Sequence, residues 1–222
     1  MTLLPGAGDA PLRGLLVTFE GPEGSGKTTL IRNLASVLAS RGCEAVLLRE
    51  PGGTEIGERI RNILLDHASR EMVAETELLL MEASRAQLVR EKVVPALEAG
   101  LVVLCDRYAD ASLAYQGFGR GLGEKVVRRF NEFATGDVEP DLTFLCLLPP
   151  EEGRERLRNR KQDRLDREDL AFHQRVYEGY LSLAGSGRPR LVTLDARETP
   201  EEMVEAALGH LARLEHGLLK FL

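Results

Sequence analysis

The sequence predicts an α/β domain: a three-layer sandwich with a central five-stranded parallel sheet and helices on both faces. Three observations predict it. Short, continuously apolar runs such as Leu101-Val102-Val103-Leu104-Cys105 have the character of strands covered on both faces. Between them stand stretches with apolar residues at helical spacing. The residues just past the runs are glycine-rich or charged, as expected where ligands collect at the carboxyl ends of parallel strands.

The elements follow in order. Gly14 to Glu20 reads as a buried first strand. Gly21-Pro22-Glu23-Gly24-Ser25-Gly26-Lys27-Thr28 then fits G-x-x-x-x-G-K-[ST] at every position. Thr28 to Ser40 is a helix, with Leu30, Ile31, Leu34, Val37 and Leu38 on one face. Glu44 to Arg49 is the second strand, and Pro51-Gly52-Gly53 breaks the chain after it. Ile56 to Leu65 is helical, and Glu75 to Ala99 reads as a long helix that Pro95 kinks or restarts. The third strand, Leu101 to Cys105, is followed by a helix over Lys125 to Thr135. Leu142 to Leu148 and Arg190 to Leu194 are the last two strands. Pro200 to Leu214 closes the chain as a helix, with Thr199 as its N-cap.

Composition bounds the function. A chain of 222 residues suits one domain, expected over residues 14–222, with Met1 to Arg13 a flexible arm marked by Pro5, Gly6 and Gly8. That arm lacks a basic region followed by a long apolar core, so no signal peptide is expected. No run approaches the roughly 18 apolar residues of a membrane span. The net charge of −6 argues against wholesale nucleic-acid binding. Cys43, Cys105 and Cys146 have neither metal-ligand spacing nor a disulfide framework, which suits a reducing cytoplasm.

The charged residues carry the chemistry. The loop glycines bring backbone N–H groups close to phosphate oxygens, and the following helix points its positive end at the same anion. Lys27 reaches the β- and γ-phosphates, and the Thr28 hydroxyl ligates Mg²⁺. Gly21 to Thr28, with Thr29, is therefore expected to bind a nucleoside triphosphate. A second feature is the run from Arg154 to Arg167, which holds seven cations, Lys161 among them, on an acidic chain. It reads as a flexible arginine-rich lid over about residues 151–168 that clamps phosphates through bidentate forks. Arg49, Arg85 and Arg107 lie where they can face the sheet edge, beyond what one triphosphate needs. They point to a second, phosphate-bearing substrate. A phosphate monoester, with a second pKa of about 6, needs no strong general base to accept a phosphoryl group. His67, His173, His210 and His216 show no nucleophile pattern and read as structural.

With these motifs the chain resembles the thymidylate kinase family, of bacterial type, from Leu15 to about Ala184. Arg49-Glu50-Pro51-Gly52-Gly53-Thr54 is similar to that family's signature after the second strand. Asp106-Arg107-Tyr108 with Ala114-Tyr115-Gln116-Gly117 resembles its second signature. Glu77-Leu78-Leu79-Leu80 leading to Arg85-Ala86-Gln87, and Pro140-Asp141-Leu142-Thr143, are similar to two further motifs. The resemblance implies phosphorylation of dTMP to dTDP with Mg²⁺·ATP, in dTTP biosynthesis, by a homodimer packed through long helices. It implies that Arg49 and Arg107 hold the acceptor phosphate and that Arg85 hydrogen-bonds the thymine edge. Ser112 and Gln116 would read the base, Tyr115 would pack on the deoxyribose, and Glu23 would meet the 3′-hydroxyl. Asp106 would organise Mg²⁺ and Arg107. The loop interior has no arginine, so a lid arginine, Arg158, Arg160 or Arg164, is expected at the transferring phosphoryl group. Met81 stands where the family usually stacks a phenylalanine on thymine. Two readings stay open beside this one: another nucleoside monophosphate kinase with altered base choice, and a P-loop scaffold that binds nucleotide without catalysis.

Overall fold

The computed structural model describes residues 14–160, 162–214 and 216–219; the expected arm over residues 1–13, and Lys161 of the cationic run, lie outside them. Strand and helix alternate. β1 (Leu15–Glu20) leads to α1 (Lys27–Ser40), β2 (Ala45–Arg49), α2 (Glu55–Leu65) and α3 (Ala74–Leu88). A π-helical turn (Val89–Val93) joins α3 to α4 (Val94–Glu98). β3 (Val102–Asp106), α5 (Ala109–Ser112) and a second π-helical stretch (Leu113–Gly119) come next. The chain ends through α6 (Glu124–Thr135), β4 (Leu142–Leu147), α7 (Pro150–Arg156), α8 (Leu170–Ala184), β5 (Leu191–Asp195) and α9 (Pro200–Leu211).

The five strands make one parallel sheet in the order β2-β3-β1-β4-β5. Side chains alternate across it. Leu15, Val17 and Phe19 of β1 pack with Leu30, Leu34 and Leu38 of α1 and with Met203, Ala207 and Leu211 of α9. Leu16, with Val103 and Cys105 of β3, packs on the other face against Leu88, Val89, Val93 and Leu97. Beside it, Leu145 of β4 joins Phe172, Val176 and Tyr180 of α8. A buried leucine or phenylalanine of this kind is worth roughly 1.5–3 kcal/mol, so the sheet is clamped from both sides. The register sets Phe19, Asp106 and Arg49 side by side, which brings the carboxyl ends of β1, β3 and β2 to one edge.

The expected elements are present, with shifts of a residue or so at their ends: β4 stops at Leu147 and β5 spans Leu191–Asp195. Thr199 caps α9 with a full capping box, but α9 ends at Leu211, and a single 3₁₀ turn covers Ala212–Leu214. The helix restarts at Pro95, as expected. The proline sits in the first turn of α4, where its missing N–H costs no intrahelical hydrogen bond, directly after the π-helical turn. Three helical pieces had no sequence expectation: α7, α8 and the stretch over Ala109–Gly119. α8 carries its own signals, an Asp169 cap and Phe172, Val176, Tyr180 and Leu183 at helical spacing. Ala109–Gly119 is nearly all buried, so it shows no amphipathic face to read.

Candidate active site

The loop after β1 lies at the centre of the sheet edge. Gly26, at φ 81°, turns the chain into α1. Gly24 lies against the middle of α7, at Gly153. A Cβ on Gly24 would stand 2.6 Å from the Gly153 oxygen, and one on Gly153 would stand 2.5 Å from the Glu23 oxygen. The two backbones touch directly, which only paired glycines allow. Lys27 is buried, and its Nζ donates to the Gly21 oxygen at 3.0 Å, the Pro22 oxygen at 2.8 Å and Ser25 Oγ at 3.2 Å. Burial, with the neighbouring Arg107, pulls its pKa below that of a free lysine. Thr28 Oγ1 donates to Asp106 Oδ2 at 2.8 Å, so the two residues expected at the metal do meet. A hydroxyl and a carboxylate beside a phosphate cradle fit Mg²⁺, which keeps several waters and takes phosphate oxygens as further ligands.

Across the cleft Arg107 holds a left-handed backbone, φ 71°. Its Nη2 donates to Glu23 Oε1 at 2.6 Å and to the Tyr115 hydroxyl at 3.1 Å. Its Nη1 donates to the Gly21 oxygen and the Tyr180 hydroxyl, each at 3.1 Å. Burial opposes the Glu23 charge, but Arg107, Lys27 and Arg160 outweigh it and hold its carboxyl at about 2. Tyr115 lies under the Arg107 guanidinium, 4.8 Å from ring centre to Cζ, so it supports the cation as well as lining the cleft. Arg49 lines the cleft from the end of β2 and is bound by both Glu58 oxygens at 2.8 and 2.9 Å.

Arg61 stood outside the sequence reading, and Arg156 entered it only as one cation of the run from Arg154 to Arg167. Arg61 of α2 lines the cleft and donates from Nη1 to the Pro51 oxygen at 2.8 Å. It shares a helix face with buried Gly57 and Leu64, and that spacing is the signal that could have found it. Arg156 also lines the cleft, with Nη1 donating to the Ala196 oxygen at 2.9 Å.

The three lid candidates separate. Arg160 lines the cleft, and its charge reaches Glu23. Arg158 pairs with Glu155 on an exposed surface, outside the cleft lining. Arg164 departs most from expectation. It is buried, its Nε donates to the Leu64 oxygen at 2.7 Å, and its Nη2 pairs with Glu77 at 2.6 Å. A guanidinium committed to a fully buried carboxylate is an anchor rather than a free phosphate clamp.

The far end of the cleft is lined by Met81, Arg85, Ser112, Tyr115 and Gln116, the residues expected at the base. Arg85 differs from that expectation in one respect. Its Nε donates to Glu50 at 2.8 Å, Nη1 to Glu82 at 2.5 Å and to Asn131 at 2.6 Å, and Nη2 to the Tyr108 oxygen at 2.9 Å. Every guanidinium nitrogen already faces a protein acceptor, with Ser112 Oγ of the same cleft lining a further acceptor for Nη1 at 3.0 Å. Burial pushes the Glu50 pKa up to about 7 despite Arg85. Glu82 and Asn131 were not expected near the site. Asn131 lies far from the motifs in sequence, whereas Glu82 stands one helical turn before Arg85.

One cleft of about 720 Å³ thus holds a phosphate-binding loop on one wall and converging arginines on the other. That arrangement on a parallel sheet defines a P-loop kinase. A thymidylate kinase family model matches residues 19–207. Thymidylate kinases of Geobacillus thermodenitrificans (48% identity, 92% of each chain) and Carboxydothermus hydrogenoformans (48%, over 91% of this chain and 99% of the other) are similar to it. One from Bacillus velezensis is 45% identical over 89% of this chain and 94% of its own. The chain belongs to the thymidylate kinase family.

Proposed function

We propose that this kinase phosphorylates dTMP to dTDP with Mg²⁺·ATP, by direct in-line transfer, in the supply of dTTP. One observation carries the reading: the 2.6 Å pair between Glu23 of the donor loop and Arg107 joins a triphosphate cradle to an anion pocket within one cleft. A switch or scaffold has no use for the second pocket. In the reaction an oxygen of the dTMP phosphate attacks the γ-phosphorus. The bond to the β–γ bridging oxygen breaks, and ADP leaves with that electron pair. The acceptor is already largely dianionic near neutral pH, so the chain need only align and screen two anions. Lys27 exchanges backbone carbonyls for β- and γ-oxygens, Arg49, Arg61 and Arg107 take the acceptor phosphate, and Arg160 meets the charge of the transferring group. Thr28 and Asp106 would hold Mg²⁺, which when bound screens the phosphate charge. Steady-state turnover of dTMP, dUMP, dCMP, dGMP and UMP tests this. The expected order puts dTMP first; a purine or cytidine nucleotide in front would overturn it.

Among the described residues no helix is long and apolar enough to cross a membrane, and the proposed setting is the cytoplasm. The proposed assembly is a homodimer through α3 and α6. Leu79 of α3 and Val126, Phe130 and Phe133 of α6 are exposed, Phe133 at 82%, an apolar surface that a second copy would cover. Sedimentation velocity should give twice the chain mass, and Phe133→Glu should shift it toward the monomer.

A further inference from the structure

Gln116 is buried where the second π-helical stretch borders the cleft. A side-chain amide can offer a ligand either its N–H donors or its carbonyl acceptor, and the group behind it decides which. Behind Gln116 stands Glu77 of α3, whose Oε1 accepts from Gln116 Nε2 at 2.9 Å. Glu77 is fully buried and held by two cations. Arg120 donates from Nε to Oε1 at 3.1 Å and from Nη2 to Oε2 at 2.8 Å. Arg164 donates to Oε2 at 2.6 Å. Burial works against the charge, but the bonds from Arg120, Gln116 and Arg164 outweigh it and keep the carboxyl below its ordinary range. An ionised carboxylate only accepts, so the Gln116 NH₂ must point back at it. Gln116 Oε1 receives no hydrogen bond from any described side chain and is not among the buried unpaired atoms, which leaves it facing the cleft.

We propose that Glu77 sets the base preference of the acceptor site by locking Gln116 with its carbonyl oxygen toward the ligand. A pyrimidine whose N3 carries a hydrogen, thymine or uracil, donates to that oxygen. Cytosine N3 carries a lone pair and meets it acceptor to acceptor. Because every Arg85 nitrogen is already engaged by the protein, the fixed Gln116 carbonyl carries much of this discrimination. Glu77 touches no substrate and is a positioning residue. Arg164 and Arg120 serve specificity through it. The inference rests on the dTMP reading above.

The test is kcat and KM for dTMP and dCMP in the wild type and in Glu77→Gln, whose new amide accepts either orientation of Gln116. The ratio of kcat/KM for dTMP over dCMP should fall at least about tenfold, through KM, with kcat within about threefold. An unchanged ratio overturns the proposal, and so does an equal loss on both nucleotides, which marks a merely structural role. Should the lost countercharge prevent folding, the charge-balanced Glu77→Gln/Arg120→Gln pair is read by the same ratio. A wild type without preference for dTMP overturns the functional reading and this inference together. A wild type that prefers dTMP beside a variant that keeps the preference overturns this inference alone.

Discussion

The donor and acceptor walls of the cleft hold their cations in opposite ways. On the donor wall, Lys27 rests on backbone carbonyls and a serine hydroxyl, neutral partners that exchange readily for phosphate. On the acceptor wall Arg107 is matched to Glu23 and Arg85 to Glu50 and Glu82, while Arg49 pairs with Glu58 at the exposed rim and Arg61 rests on the Pro51 carbonyl. Breaking a buried ion pair costs far more than releasing a carbonyl. The donor wall is therefore ready for any triphosphate. At Arg107 the acceptor wall yields only to a ligand that replaces the Glu23 carboxylate with something equally anionic in the right place. Generality on one side and selectivity on the other follow from what each cation leans on.

The largest effect that could break this contrast is at Lys27. Lys27→Ala should lower turnover about 10³-fold with the fold intact, since no other group replaces a charge at the β- and γ-oxygens. Near-native kcat would mean the donor wall does not work as described. Next, Arg107→Ala should lower kcat/KM for dTMP about 10²-fold while leaving the KM for ATP close to wild type. An equal change for both substrates would erase the distinction between the walls. Two arginines of the 151–168 segment then sharpen it. Arg160→Ala should reduce kcat about tenfold without moving the urea midpoint. Arg164→Ala should cost about 3–5 kcal/mol in urea unfolding, because Glu77 loses a buried partner. If Arg164→Ala lowers kcat and spares stability, its assignment as an anchor is wrong.

The smallest effect lies at the seam. Glu20 ends β1, and its Oε1 accepts from the Tyr108 backbone N–H at 2.7 Å, tying the loop to the segment after β3. Burial, with Asp110 nearby, pushes its pKa from 4.5 up to about 8. The folded state therefore keeps a proton that the unfolded chain gives up. Stability from this group is fully present below pH 4.5 and is lost as pH rises through about 8. Urea midpoints taken from pH 5 to pH 8 should decline in the wild type and decline less in Glu20→Gln. Glu50, raised to about 7, leaves a residual slope of the same sign. A variant with an undiminished slope would move the titration elsewhere.

The donor wall was legible in the sequence and the acceptor wall only in outline. Gly21 to Thr28 is contiguous, so a strand, a loop and a helix in order fix its geometry. Arg49 and Arg107 were found because both stand at strand ends, and parallel register brings strand ends together. The partners of the arginines were not found. Glu77 and Arg164, or Glu50 and Arg85, meet across wide chain separations, and no local period ties one to the other. Arg164 reads as one more lid cation until its depth is known. Arg61 was hidden differently, as a charge on the inward face of a helix that otherwise looks like surface.

The contact between Gly24 and Gly153 has a mechanical meaning. With backbone on backbone there is no side chain to compress, so the middle of α7 bears on the loop as a shaft bears on its seat. Any tilt of α7 presses on the Glu23 carbonyl, and through Glu23 on Arg107. Gly153→Ala would act as a wedge in that bearing. Its first symptom would be weakened nucleotide binding, although the position belongs to no nucleotide-binding motif.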